Sequence, residues 1–146
     1  MSTPTPAISV IMSVKNGADC ISRSIASIQS QSFTDWEMLI CDDGSTDETY
    51  NRLCEIAEKD SRVRILRNKE SLGLAFSLNR CIEEAKSNIL ARQDADDWSA
   101  ENRFEVQYPF VVSHPEYAIV GTGWFNVLES GDITPVDVME EPKAID

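Results

Sequence analysis

Apolar and β-branched residues dominate the segment from Ile8 to Val14 (ISVIMSV), close to the start of the chain. Such a run is typical of a strand that is buried on both faces. After the turn-like residues 15–17, Ile21, Ile25 and Ile28 recur at helical spacing with mainly polar residues between them. The pattern therefore predicts a buried strand followed by an amphipathic helix.

This order of strand and helix repeats twice more. Trp36 to Cys41 and Val63 to Leu66 are apolar runs that predict a second and a third strand, and Gly73 precedes the third helix. The second helix is predicted to have one face made of Tyr50, Leu53, Cys54 and Ala57, and the third to have a stripe of Leu74, Leu78, Cys81, Ile82 and Ala85. Three strand–helix units in series predict an α/β fold with a mostly parallel sheet.

The acidic loop DDGSTDET connects the second strand to the second helix. Ser45 or Thr46 suits the N-cap of that helix, and Asp47 and Glu48 would place negative charge in its first turn. The loop is therefore predicted to end at a helix N-terminus.

A fourth strand, Ile89 to Arg92, leads directly into the segment QDADDW. Ligands of open parallel sheets bind beyond the carboxyl ends of the strands. We therefore expect the acidic loops after the second and fourth strands to face one crevice.

The remainder of the chain carries weaker patterns. A helix is predicted over Asn102 to Val112, and one or two strands over Ala118 to Gly123 and Phe125 to Leu128. Gly131-Asp132 predicts a turn. The polar stretch from Thr134 to Asp146 shows no periodicity and is predicted to be a loose end.

The composition is that of a folded protein, with 146 residues, 42% of them hydrophobic and 26% charged, which fits a single domain. No apolar run is long enough to cross a bilayer, and the first residues do not form a signal peptide. The expected location is the cytoplasm, with peripheral membrane attachment left open for a longer protein. The cysteines, which form no CxxC pair, are expected to be reduced thiols: Cys20, Cys41, Cys54 and Cys81.

A net charge of −12 argues against nucleic acid as a partner, because such binding depends on basic residues. An anionic ligand such as a diphosphate would need a metal ion to supply positive charge. Asp94, Asp96 and Asp97 offer hard oxygen ligands that suit Mg²⁺ or Mn²⁺ and do not suit zinc. The alternative is a solvated acidic loop that caps the next helix. Arg92 fits a functional position and a structural ion pair with these aspartates equally well.

Three segments, ISVIMSVKNG, DDGSTDET and NKESLGLAFSLNRCIEEAKSNILARQDADDW, resemble in order and spacing the donor-binding part of glycosyltransferase family 2. The resemblance covers Ile8 to Gln107. It implies a Rossmann-like, three-layer GT-A fold that binds a nucleotide-diphosphate sugar and transfers the sugar with inversion to a saccharide or lipid-linked acceptor. Synthesis of a cell-envelope polysaccharide is the role that the family suggests.

The resemblance also implies individual site residues. Ser13, Lys15 and Asn16 would flank the nucleotide, and Asp43 would accept a hydrogen bond from the base. Uridine is favoured, with guanosine and thymidine open, because these bases present a ring N–H. In the segment QDADDW after the fourth strand, Asp96 would hold Mn²⁺ or Mg²⁺, Asp94 would contact the ribose or the metal, and Asp97 would assist.

The catalytic base stays unknown and is expected beyond Asp146, so that the chain would be a donor-binding part truncated before the acceptor half. Two rivals remain. One is a module that binds metal and nucleotide-sugar without turnover. The other is a nucleotidyltransferase of related fold, although a Gly- and Arg-rich phosphate loop is missing where VKNGADC stands. A haloacid-dehalogenase-type phosphatase ranks behind both.

Overall fold

Strands and helices alternate along most of the chain in this computed structural model, which describes residues 5–123, 125–128 and 130–135. The elements in chain order are β1 (Ile8–Val14), α1 (Ile21–Gln29), β2 (Trp36–Asp42), α2 (Thr49–Lys59), β3 (Val63–Arg67), α3 (Leu74–Glu84), β4 (Leu90–Arg92), α4 (Arg103–Ser113), β5 (Phe125–Val127) and β6 (Ile133–Pro135).

The first four strands form a parallel sheet in the order β3-β2-β1-β4. This confirms the parallel α/β fold that the repeated strand–helix pattern predicted. β2 lies beside β1 and β3 lies beside β2 in one direction, whereas β4 lies on the opposite side of β1. The change of direction creates a switch point at the carboxyl ends of β1 and β4, where such sheets bind their ligands.

Side chains on both faces of β1 and β2 are buried, as the apolar run in β1 predicted. On one face, Val10 and Met12 belong to a core that includes Ile21, Ile25 and Ile28 of α1 together with Leu53 of α2 and Phe104 of α4. On the other face, Ile11, Leu39 and Cys41 pack with Cys81 of α3. The sheet therefore lies between two layers of helices.

Three local predictions on α2, β5 and α3 were wrong. The second helix begins at Thr49 with Glu48 at its N-cap, and no side chain caps it. Residues 118–123 form no strand, and β5 begins only at Phe125. On α3, the predicted apolar stripe is incomplete, because Leu74 and Ile82 are exposed at the surface.

The chain divides into two compact units, Met1–Phe110 and Val111–Asp146. The second contains the antiparallel pair of β5 and β6, joined by the predicted turn, in which Gly131 has a φ of +86°. Thr134 and Pro135, assigned from the sequence to the loose end, lie in β6; the rest of that stretch lies outside the described residues. Within the described part of the chain, no helix has the length and apolar character needed to cross a membrane.

Candidate functional site

A cleft of about 390 Å³ opens at the switch point between β1 and β4. Five residues predicted to bind nucleotide or metal line it: Ser13, Lys15, Asn16, Asp94 and Asp96. The sequence had given no site role to Gly17, Cys20 and Leu74, which line it too, and it had left the role of Arg92, another lining residue, open. Asp43 and Asp97 do not line the cleft.

A second groove, of about 490 Å³, lies on the surface of α1 and α2 and is lined by residues such as Ser22, Asn51 and Lys59. It contains none of the predicted site residues. The cleft at the switch point is therefore the better candidate site.

Residues 15–17, which follow β1, form one wall of the cleft, and the DDGSTDET loop holds this wall in place. Asn16 has a φ of +52°, a conformation that non-glycine residues rarely adopt. Its backbone N–H donates to Ser45 Oγ at 2.9 Å, and its side-chain Oδ1 accepts from the Thr46 amide at 2.9 Å. Ser45 and Thr46 thus fix this wall instead of capping α2.

Two more contacts extend this attachment. The Gly17 amide donates to Thr49 Oγ1 at 2.9 Å, and the Ala18 amide donates to Asp47 Oδ2 at 3.2 Å. Hydrogen bonds from Thr49, together with the Ala18 amide, hold the pKa of Asp47 below its usual value. The acidic loop after β2 therefore shapes the cleft without lining it.

Asp43 is buried and accepts five hydrogen bonds of 2.7 to 3.0 Å. The donors are the backbone amides of Leu72 and Gly73 and the side chains of Asn68, Ser71 and Ser77. Burial alone would raise the pKa of Asp43, but these hydrogen bonds outweigh it and hold the pKa well below the usual range.

These contacts bear on the predicted role of Asp43. An ionised carboxylate has about four lone-pair sites, so the chain itself already occupies them. A base N–H would reach Asp43 only if one of the five donors moved aside. Reading of the base by Asp43 stays a prediction. In the structure, Asp43 anchors the segment that leads to Leu74 in the cleft wall.

Arg92 and Asp94 form an ion pair with two contacts on the β4 side of the cleft. Nε lies 2.9 Å from Oδ1, and Nη2 lies 3.0 Å from Oδ2. Both side chains are about half exposed. Of the two roles considered for Arg92, the structure contains the ion pair, and it also places Arg92 in the lining of the cleft.

Asp94, Asp96 and Asp97, in the loop that follows β4, are not gathered into one cluster. Asp94 and Asp96 line the cleft, whereas Asp97 does not. Among the residues that the structure describes, no group of three or more His, Cys, Asp or Glu side chains is arranged to hold a metal ion. Burial raises the pKa of Asp97, and the charges of Asp96 and Asp94 raise it further. A metal in this cleft would therefore have at most two carboxylate ligands from the loop.

The loop that follows β4 is held against α1. Ser24 Oγ donates to the Asp94 carbonyl at 2.9 Å, and the Ser99 amide donates to Ser27 Oγ at 3.0 Å. The guanidinium of Arg23 lies 3.4 Å above the ring centre of Trp98. Polar residues between the isoleucines of α1 therefore position the loop, a role that helical periodicity could not indicate.

Residues 9–144 match the sequence profile described as Glycosyl transferase family 2, and the chain belongs to this family. The resemblance found in the three sequence segments is thereby confirmed.

Curated relatives agree with this assignment. EpsE of Bacillus subtilis (strain 168), provisionally named a glycosyltransferase, is 43% identical over 81% of this chain and 43% of its own length. WfgD of Escherichia coli, a UDP-Glc:alpha-D-GlcNAc-diphosphoundecaprenol beta-1,3-glucosyltransferase, is 34% identical over 73% of this chain and 42% of its own. WbnJ of Escherichia coli, an O-antigen biosynthesis glycosyltransferase, is 36% identical over 86% of this chain and 49% of its own. The chain thus spans less than half of the length of each of these relatives.

Solved structures share the fold. The S. aureus protein TarS superimposes with a TM-score of 0.68 at 22% identity, over 74% of this chain and 33% of that one. The mannosyltransferase PcManGT from Pyrobaculum calidifontis, in complex with GDP-Man and Mn²⁺, superimposes with a TM-score of 0.61 at 28% identity, over 68% of this chain and 30% of its own. The fold is that of GT-A glycosyltransferases.

Proposed function

We propose that this chain is the donor-binding part of a glycosyltransferase that moves a sugar from a nucleotide-diphosphate sugar to an acceptor hydroxyl. The observation that carries the proposal is the cleft at the switch point of a family 2 chain, with Ser13, Lys15 and Asn16 on one side and Asp94 and Asp96 on the other. Its volume, about 390 Å³, falls within the range of roughly 300–1,000 Å³ that small-molecule sites occupy.

A UDP-sugar is the first donor to test. WfgD, the relative at 34% identity over 73% of the chain, is named for a UDP-sugar donor. PcManGT binds GDP-Man, so guanosine is the alternative. Uracil and guanine both present a ring N–H that can donate a hydrogen bond to a carboxylate. Asp43 would read that N–H after one of its present donors has moved aside.

The charges in the cleft support a metal-dependent site. Lys15 and Arg92 contribute two positive charges, and Asp94 and Asp96 contribute two negative ones, so the lining itself does not neutralise a diphosphate. Mg²⁺ and Mn²⁺ sites commonly combine one or two carboxylates with the phosphate oxygens of a substrate. The cleft offers the two carboxylates of Asp94 and Asp96, and the donor would supply the phosphates. Asp96 and Asp94 would hold the ion, and Asp97, which lies outside the lining, is left out of the ligand set. When bound, the metal acts as a Lewis acid that stabilises negative charge on the departing diphosphate.

The chain's own residues would then bind and orient the donor. Lys15 and Arg92 would contact the diphosphate oxygens, and Ser13 and Asn16 would flank the nucleotide. Transfer with inversion needs a base on the face opposite the leaving group, and none of the residues assigned here has that role. The names of WfgD and WbnJ favour a lipid-linked or saccharide acceptor in cell-surface polysaccharide synthesis.

Calorimetric titration of UDP with Mn²⁺ or with EDTA tests the proposal. We expect binding with Mn²⁺, and a loss of the Mn²⁺ dependence in Asp96→Ala while the melting temperature stays close to that of the wild type. Equal affinity with Mn²⁺ and with EDTA would contradict the metal assignment. UDP-sugar consumption in the presence of acceptor then separates an enzyme from a module that only binds.

A further inference from the structure

Arg103, at the start of α4, joins the two ends of the loop that follows β4, from Arg92 to Ser99. Its Nη2 donates to the Arg92 carbonyl at 3.1 Å, where the loop begins. Its Nη1 donates to Ser99 Oγ at 2.9 Å, where the loop ends, and to Gln93 Oε1 at 3.1 Å. A single guanidinium therefore fastens both ends of the segment that carries Asp94 and Asp96.

The remaining contacts of Arg103 keep the guanidinium in place. Nε donates to Gln107 Oε1, one helical turn further on, at 3.0 Å. Gln93, itself buried, accepts from Ser99 Oγ at 2.7 Å through the same Oε1 that receives Arg103. The ion pairs found among the described residues do not include Arg103. The hydrogen bonds of Arg103 go to neutral acceptors of the loop and of α4, and none of these acceptors is a carboxylate.

We propose that Arg103 is a positioning residue for the metal and diphosphate site, acting through the loop from Arg92 to Ser99. The proposal rests on the function proposed above. Arg103 does not line the cleft and would not touch the donor. It would fix the distance between the loop ends and thereby the direction in which Asp94 and Asp96 present their oxygens. Groups behind the ligands of a metal site commonly change its affinity by about 10–100-fold.

Arginine is required at this position because of its shape. Its planar fork donates in several fixed directions at once, whereas the lysine ammonium is a compact point charge that cannot reproduce this geometry. Arg103→Lys should therefore restore little of what Arg103→Met loses, although it keeps the charge. A purely electrostatic role of Arg103 would give the opposite result.

Two measurements on the same variants test the proposal. Hydrogen exchange without ligand reports the order of residues 94–98, and the Mn²⁺ concentration needed for half-maximal UDP binding reports the site. We expect Arg103→Met to speed exchange in this segment and to raise the Mn²⁺ requirement by about 10–100-fold. Ser99→Ala, a smaller truncation that removes the Arg103 contact at the far end of the loop together with the hydrogen bond from Ser99 Oγ to Gln93, should produce the same changes to a lesser degree.

Arg64→Met is the matched control. Like Arg103, Arg64 is a partly exposed arginine with several contacts. It contacts Glu37 at 3.4 Å and the Glu84 carboxylate at 2.9 Å, but it lies near the amino ends of β2 and β3. It should lower the melting temperature without changing the Mn²⁺ requirement or the exchange of residues 94–98.

The outcomes separate the two proposals. The positioning role would be overturned if Arg103→Met and Ser99→Ala kept the hydrogen exchange and the Mn²⁺ requirement of the wild type. An equal effect of Arg64→Met on these two measurements would also overturn it. So would a return to wild-type values in Arg103→Lys. If the wild-type chain binds no UDP with Mn²⁺, the proposed function fails, and the exchange measurement still decides whether Arg103 orders the loop.

Discussion

Gly44 packs directly against the backbone of Ser71. A Cβ on Gly44 would lie 2.9 Å from the Ser71 nitrogen and 2.9 Å from the Glu70 carbonyl carbon. The φ of Gly44 is +70°, which side chains rarely tolerate. The loop after β2 and the segment before α3 are thus in backbone contact, next to the hydrogen bonds of Asp43.

Gly44→Ala should lower the free energy of unfolding by about 2–5 kcal/mol. Left-handed strain contributes about 1–2 kcal/mol, and forcing a methyl group between packed backbones contributes about 1–3 kcal/mol. Gly73→Ala is the control, because Gly73 has a φ of +91° with nothing within 4 Å of its added Cβ. Urea unfolding of both variants measures the difference. Because Gly73 has a backbone conformation almost confined to glycine, the loss in Gly73→Ala reports strain alone. A loss in Gly44→Ala below about 2 kcal/mol would mean that the two loops separate at little cost.

Asp43→Asn should destabilise the chain by about 2–4 kcal/mol, because a buried acceptor of several hydrogen bonds becomes a partial donor that faces other donors. The pKa of Asp43 is lowered in the folded state, so the unfolded state binds the proton more readily. The stability from this ionised carboxylate is present above about pH 4, the usual pKa of an aspartate, and is lost as the pH falls below it. Urea unfolding between pH 3 and pH 7 should show a steeper acid loss in the wild type than in Asp43→Asn.

Asp60 contributes to the same acid loss and must be separated from Asp43. Hydrogen bonds from the Arg62 side chain outweigh partial burial and lower its pKa to about 2. Its stabilisation is therefore present above pH 4 and disappears between about pH 4 and pH 2. Asp60→Asn should flatten the acid loss independently of Asp43→Asn. Identical pH profiles for the wild type and both variants would rule out these carboxylates as the cause.

The predictability of the fold from sequence differs between elements for a physical reason. The bounds of β1 followed from a run dominated by apolar and β-branched residues, and the buried face of α1 followed from Ile21, Ile25 and Ile28. Both patterns are local. Ser45 was misassigned as an N-cap because its hydroxyl accepts from Asn16, 29 residues earlier in the chain.

The site shows the same limit. The strand ends predicted that the acidic loops after β2 and β4 would face one crevice, since parallel strands bring their carboxyl ends to one edge. Asp94 and Asp96 do line the cleft, whereas the loop after β2 only supports its wall. The five donors to Asp43 come from residues 68–77, and the guanidinium of Arg103 is defined by acceptors at residues 92, 93, 99 and 107. Such contacts depend on tertiary packing and leave no periodic signal in the sequence.

Arg92→Met should separate stability from binding. Exposed ion pairs contribute about 0–1 kcal/mol to stability, and the pair of Arg92 with Asp94 is about half exposed, so unfolding should change little. If Arg92 contacts the diphosphate, UDP affinity with Mn²⁺ should fall about tenfold, roughly 1.4 kcal/mol. Arg52→Met, which removes an equal charge from an exposed position outside the cleft, should leave UDP affinity unchanged. Equal affinities for the two variants would exclude Arg92 from the binding of the diphosphate.

Cys20 offers a direct test of where the nucleotide binds. It is partly exposed and lines the cleft, whereas Cys54 is partly exposed on α2 outside the cleft. Burial raises the pKa of Cys20, so alkylation is best performed near pH 8.5, where more thiolate forms. Saturating UDP with Mn²⁺ should slow alkylation of Cys20 and leave that of Cys54 unchanged, as measured by mass spectrometry of the labelled peptides.

The buried thiols provide the control for global opening. Cys41 and Cys81 are fully buried, and burial raises the pKa of Cys81 to about 11, so neither should react while the chain stays folded. Slower labelling of all four cysteines with UDP would indicate general stabilisation of the fold. Protection confined to Cys20 would place the nucleotide in the cleft between β1 and β4. Unchanged labelling of Cys20 at a UDP concentration that calorimetry shows to be saturating would place the nucleotide elsewhere and contradict the site proposed here.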